Sequence, residues 1–422
     1  MNKQKIVASM LVVGGLVSPL AYATNGDEMM AVGSQNTALG GTGVAHFVGA
    51  DSTWSNPAML GKSKGSEVTG GVNLFKPTVT NTGMAGGAAG NSTADTSYIP
   101  DISYSSRIDN SLSYGVAMGG IAGMGVDYTG ASASLGLVKA KSALSILRIV
   151  PTVAYNTNEY GVGFSPVFQY GSLMLSYDNT GGVHPYNDSQ KKDSSTSFGF
   201  VLGGYYNATS AVTVAAAYQS KFAGKYGTQI SGAGAQFGLC SPASMATGCT
   251  GLPTFSDNLD QPAQIKLGVA FAVADNLALT ADYKLIQWGS AAGYKDFAWK
   301  DQTVIAVGAK YSASGYWLGL GYNHANDPIG ELSAATTAEY RNAAINMFNN
   351  MFFPAIVTNS YTFGGGYDIS SALAVEGAAV ITPEVKKTVG MGSFSAMGMP
   401  AATTNTTTHS QKAYEVSLRY KF

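Results

Sequence analysis

The chain has 422 residues, of which 12% are charged and 45% apolar, and its formal net charge is −1. That balance excludes the clustered Lys and Arg that nucleic-acid binding demands, and the charged share is about half that of a soluble protein. After residue 23 there is no apolar run of the roughly 18 residues that a transmembrane helix needs, while 53 Gly and 24 Tyr suit a membrane β-barrel whose lipid-facing and lumen-facing residues alternate.

Residues 1–23 read as an export signal. Lys3 and Lys5 give a positive start, Ile6 to Leu16 an apolar core, Pro19 a break and Ala21-Tyr22-Ala23 a cleavage site, so the mature chain is expected to begin at Thr24. Residues 24–65 are Gly-rich and do not alternate, yet they carry Met29, Met30, Phe47, Trp54 and Leu60, which favour burial over disorder. They are expected to form a hatch that fills the opening of a wide barrel.

From residue 66 to 422 the dominant signal is alternation at period two. Ile265, Leu267, Val269 and Phe271 point one way, and Gln264, Lys266, Gly268 and Ala270 the other; a turn at Ala274-Asp275-Asn276 leads into the same pattern from Leu277 to Leu285. Six short turns of this kind, rich in turn-forming residues, begin near Arg107, Asn156, Asn207, Ala274, Ser312 and Ser370. Seven longer connections fall near 81–96, 129–144, 180–194, 231–260, 289–300, 324–357 and 388–410. Together they predict an all-β fold: a fourteen-stranded antiparallel transmembrane barrel with short turns at one end and long loops at the other. In the last strand Tyr414, Val416, Leu418, Tyr420 and Phe422 alternate with Glu415, Ser417, Arg419 and Lys421. Lys or Arg facing lipid at mid-depth costs about 2–4 kcal/mol, so the charged face must line a wet lumen.

Cys240 and Cys249 share one Gly/Ser/Pro-rich segment, and in an oxidising compartment a local disulfide is expected. No second Cys or His pair stands at ligand spacing, so neither metal nor cofactor is expected. The histidines His46, His184, His324 and His409 are scattered. Gly61-Lys62-Ser63-Lys64-Gly65 matches the nucleophile-elbow pattern, but it precedes a strand instead of linking strand to helix, and no enzyme is expected.

The chain resembles the FadL family of outer-membrane transporters of long-chain fatty acids and hydrocarbons over nearly its whole mature length. The resemblance is carried by Ala38 to Leu60 with its Asn56-Pro57-Ala58 motif, by Asp260-Gln261-Pro262-Ala263, by Tyr283 to Trp288, by Tyr322 to Pro328, by Phe353-Pro354-Ala355-Ile356-Val357 and by the terminal Phe422. It implies a barrel in the Gram-negative outer membrane, closed by an N-terminal hatch. It also implies capture by apolar loop surfaces, passage to a luminal pocket, and sideways exit where the third strand is kinked; Gly119, Gly120, Gly123 and Gly125 mark that stretch here and permit bulges. The expected ligand is a hydrophobic small molecule, with long-chain fatty acids placed ahead of hydrocarbons. A surface barrel serving as adhesin or phage receptor is the alternative. The expected surroundings are outer-membrane lipid and lipopolysaccharide, the barrel assembly machinery and no obligate subunit partner.

Apolar side chains in loops are a liability unless they bind something or pack. Phe348, Met351, Phe352, Phe353 and Ile356 in the sixth long loop, and Met29, Met30 and Val32 near the mature N-terminus, are the substrate-binding candidates; a loop helix packed on its neighbours is the other use of the first set. A fatty acid also calls for a cation near its carboxylate, for which Lys62, Arg148, Lys191 and Lys192 are available.

Overall fold

A computed structural model describes residues 24–132, 134, 136–178, 186–236, 255–396, 398 and 401–422. The expected signal, the two cysteines and His184 lie outside those residues. The wall is built from fourteen long strands: β1 Glu67–Asn81, β2 Ser97–Arg107, β3 Leu112–Asp127, β4 Lys141–Asn156, β5 Tyr160–Ser176, β6 Asp193–Asn207, β7 Val212–Gln219, β8 Gln264–Ala274, β9 Leu277–Ile286, β10 Gln302–Ala313, β11 Tyr316–Ala325, β12 Asn359–Asp368, β13 Leu373–Gly390 and β14 Thr404–Lys421. Each pairs antiparallel with its neighbour in sequence. The sheet closes where β14 meets β1, from Thr407 opposite Asn81 to Lys421 opposite Glu67, and closure removes the exposed edge that an open sheet would present to lipid.

The alternation in the sequence becomes two faces. In β14 Val416 is 56% exposed and Leu418 54%, whereas Glu415 is 2% and Arg419 4%. Tyr, Val, Leu and Phe make up the outward face of the other strands in the same way. The short turns lie where the spacing predicts them. β7 ends at Gln219 and β8 begins at Gln264, so the fourth long connection is longer than expected, whereas the seventh shrinks to 391–403. The seventh is short because its strands run past the bilayer: β13 and β14 have 18 residues each, against the roughly 9–11 that span the hydrocarbon. Their outer ends, such as Thr404 to Thr408, are polar on both faces, so hydropathy alternation gives no sign that the strand continues.

Residues 24–63 run inside this wall and bond to strands around its circumference. Ser34 shares a hydrogen bond with Ser417 at 2.8 Å, Thr37 donates to Glu415 at 2.7 Å, Thr42 meets Thr280 at 2.7 Å, and Trp54 donates to Ser103 at 3.1 Å. The Gly43 and Val44 amides both donate to Asp282 at 2.8 and 3.0 Å. Each of these partners is on an inward-facing position, so a segment with little regular structure bonds polar groups to the barrel lining.

At the long-loop end, aromatic and aliphatic side chains pack into one cluster. The helix Tyr340–Phe352 enters through a capping box between Thr336 and Glu339. It buries Phe348, Met351 and Phe352 against Trp288, Tyr294, Phe297, Trp299 and Tyr177.

Candidate functional site

The Asn56-Pro57-Ala58 turn anchors the N-terminal segment. The Asn56 side chain accepts from the Ala58 amide at 3.0 Å and donates to the Val44 carbonyl at 2.8 Å and the Gly204 carbonyl at 3.3 Å. Pro57 then starts a 3-10 turn, Pro57–Lys62, where its missing N–H costs nothing. The strands make room for it: a side chain on Gly203 would overlap the Asn56 amide, and one on Gly163 would overlap the Pro57–Ala58 backbone.

Upstream, residues 24–32 form an arm against β3. Glu28 pairs with Ala122, and the Gly123 amide donates to the Asp27 carbonyl at 2.8 Å. The arm occupies a place where the wall is open. Pairing of β2 with β3 ends at Asp101 opposite Gly119. Pro100, next in line, has no N–H with which to extend a ladder and suits an open edge. Between Gly120 and Ala122 the register of β3 on β4 slips, leaving Ile121 without a partner. Contact with the β2 side resumes only at the outer end, where the Thr93 amide donates to the Asp127 carbonyl at 2.8 Å. Gly119 and Gly120 thus sit at the start of the gap, and Gly123 and Gly125 along it.

Behind the gap is a cavity of about 70 Å³ lined by Met29, Met30, Val32, Trp54, Ile121, Glu28, Arg148, Lys266 and Lys284. The three apolar arm residues singled out from sequence all reach it. Of the four cations considered, only Arg148 does. Lys62 donates instead to Asn207 and Thr213 at 3.1 and 3.2 Å, and Lys191 and Lys192 are exposed. Sequence reasoning missed Lys266 and Lys284, although both fall on the inward positions of β8 and β9. They stand directly opposite each other, an unfavourable pairing of like charges. Arg148 is held by Gln169 at 3.0 Å and Gln219 at 2.9 Å, with Glu28 3.9 Å away. Glu28 also accepts from Gln264. Three cations and one carboxylate therefore face one small space.

A second, smaller cavity lies outward, lined by Met124, Leu259, Tyr294, Phe297, Trp299, Phe348 and Phe353 among others. Phe348 and Phe353 border it. Met351, Phe352 and Ile356 are wholly buried in the surrounding cluster, so the sixth loop presents a packed interior and not an apolar surface. His409 is buried with its Nδ1 2.7 Å from the Pro354 carbonyl. Among the described residues no group of His, Cys, Asp or Glu is placed to hold a metal.

Residues 17–421 match the family model described as outer membrane protein transport protein (OMPP1/FadL/TodX). The chain belongs to the FadL/TodX family. It is thus an outer-membrane transport protein for hydrophobic molecules, and solved FadL/TodX barrels share its fold. A Pseudomonas aeruginosa FadL homologue is 15% identical over 94% of this chain and 100% of its own, with a TM-score of 0.67. The toluene transporter TodX of P. putida is 17% identical over 93% and 99%, with a TM-score of 0.64. A monoaromatic hydrocarbon channel, CymD, is 16% identical over 93% and 98%, with a TM-score of 0.59. No curated protein sequence matches the chain.

Proposed function

We propose that this FadL/TodX barrel carries long-chain fatty acids, taking them through the outer apolar cluster to the luminal cavity and out through the gap between β2 and β3. The observation that carries this reading is the charge of the luminal cavity. Lys266 and Lys284 face each other across neighbouring strands beside Arg148. A carboxylate offsets that repulsion and accepts charge-assisted hydrogen bonds, each worth about 1.5–3 kcal/mol; a hydrocarbon supplies neither. The chain of the ligand would rest on Met29, Met30 and Val32, gaining about 0.8 kcal/mol per buried CH2.

At about 70 Å³ the cavity is far below the ~300–1,000 Å³ of a ligand-filled site, so the form described is closed and the arm must move for a ligand to enter. In this reading residues 24–65 act as the hatch, and the gap with Gly119, Gly120, Gly123 and Gly125 is the exit.

The test is binding of oleate and of hexadecane to purified wild-type protein and to the double variant Lys266→Met, Lys284→Met. The expected result is oleate binding that weakens at least tenfold in the variant, with hexadecane affected little. Equal wild-type affinity for both, unchanged by the substitutions, favours hydrocarbon uptake, a use suited to the uncharged lining of the outer cavity.

A further inference from the structure

The two cavities share no lining residue, yet one pair of side chains joins them. Tyr294 lines the outer cavity and donates its hydroxyl to the Asp27 carboxylate. Gln261 braces both, with its amide 3.1 Å from Asp27 and 3.1 Å from the Tyr294 oxygen. Asp27 belongs to the arm. Its carbonyl receives the Gly123 amide at the wall gap, and its neighbour Glu28 lines the inner cavity. The ring of Tyr294 packs 4.6 Å from Trp288 and 4.8 Å from Trp299. Gly26, at φ +69°, passes so close to the Trp288 indole that a Cβ there would lie 2.6 Å from it. The tip of the arm is therefore clasped by Tyr294, which lines the outer cavity, and by Trp288, on which Tyr294 packs, while Asp27 has a second carboxylate oxygen with no hydrogen-bond partner.

We propose that the Tyr294–Asp27 hydrogen bond is a latch: it holds the arm across the wall gap while the outer cavity is empty, and a ligand entering that cavity displaces Tyr294 and frees the arm. The inference rests on the transport reading above, but the latch has its own readout. Tyr294 is a positioning residue, since it acts on the route through Asp27. A ligand can shift the arm only by interacting differently with the latched and unlatched forms; a cavity too small to fill without moving Tyr294 provides that difference.

The experiment is hydrogen exchange of the full-length protein in detergent, followed in residues 24–34 and 121–125, with and without oleate. Tyr294→Phe keeps the ring and removes the donor. Asp27→Ala removes the acceptor and leaves the loop untouched, and Asp27→Asn keeps an acceptor oxygen. Tyr294→Phe and Asp27→Ala are expected to speed exchange in both segments about tenfold, equivalent to about 1.4 kcal/mol, with Asp27→Asn near wild type. Oleate should speed exchange in wild type and add nothing in the two unlatched variants. A merely structural role for Tyr294 would leave the oleate response intact. Wild-type protection in both variants, or an oleate response that survives them, overturns the latch. If oleate is silent in wild type while Tyr294→Phe still unlatches, the fatty-acid reading fails and hexadecane replaces it as probe; silence with hexadecane as well overturns the coupling. Should Tyr294→Phe also loosen residues 287–301, the Asp27 pair decides alone.

Discussion

Arg419 ties the N-terminal segment to the barrel through a network of ionic contacts. Buried in β14, it donates to Glu376 at 2.9 and 3.1 Å and to the Val48 carbonyl at 3.1 Å, pairs with Glu67, and stands 3.7 Å from Asp51. Removing one partner from a buried ionic group leaves uncompensated charge and costs about 3–5 kcal/mol. Arg419→Met is therefore expected to lower the unfolding free energy by that amount, measured by urea titration in detergent micelles. At Asp27 burial pushes the carboxyl up from 3.8 to about 7; Tyr294 and Gln261 oppose the rise and Glu28 adds to it. The other charged and titratable groups facing it are Arg148 and Tyr226. A carboxyl with a docked pKa above its free value favours docking when protonated. That contribution is complete below 3.8 and lost as pH rises through about 7. Exchange protection of residues 24–34, corrected for intrinsic rates, should thus fall between pH 4 and 7 and level off above; Asp27→Asn should flatten the slope. Lys266 and Lys284 read from sequence as inward residues on adjacent strands, but their meeting with Arg148 depends on how far the barrel wraps between β4 and β8, which no local pattern encodes.

Among the elements, β3 departs from regularity at the proposed exit. Its glycines were visible in the chain, whereas the unpaired Ile121 and the loss of β2 pairing beyond Gly119 depend on which strand edges meet. A bulge places two residues opposite one and bends the strand. Deleting Ile121 should restore continuous register with β4, straighten β3 and narrow the gap. Oleate uptake by cells is expected to drop at least tenfold with the protein still in the outer membrane; undiminished uptake would remove the exit route from the scheme. The helix Tyr340–Phe352 illustrates the converse. Its apolar content was legible, and both packing and ligand capture remained open to it. Burial of Met351 and Phe352 on all sides follows from side chains of the other long loops packing into the same cluster.

For the whole molecule, a closed sheet has no fraying edge and resists unfolding as a unit. The protein should run as a compact, faster-migrating species in unheated detergent gels and shift on boiling. Deleting residues 24–34 removes the arm but keeps the Asn56 anchor and the Arg419 contacts. The expected outcome is a protein that assembles, retains its heat-dependent shift and shows larger single-channel conductance than wild type, since the gap loses its cover.

What the sequence by itself determined was the wall. Period-two alternation, turn residues and the charged face of the last strand specify fourteen strands, their sidedness and a lumen that needs filling, because each follows from the local cost of placing polar or apolar groups in lipid. What only the tertiary structure decided was the site. Asp27 meets Tyr294 across 267 positions, and Glu28, Arg148 and Lys266 converge from an arm and two distant strands. Such contacts are fixed by closure of the sheet and by the path of a segment that has almost no regular structure, and neither leaves a periodic mark in the chain.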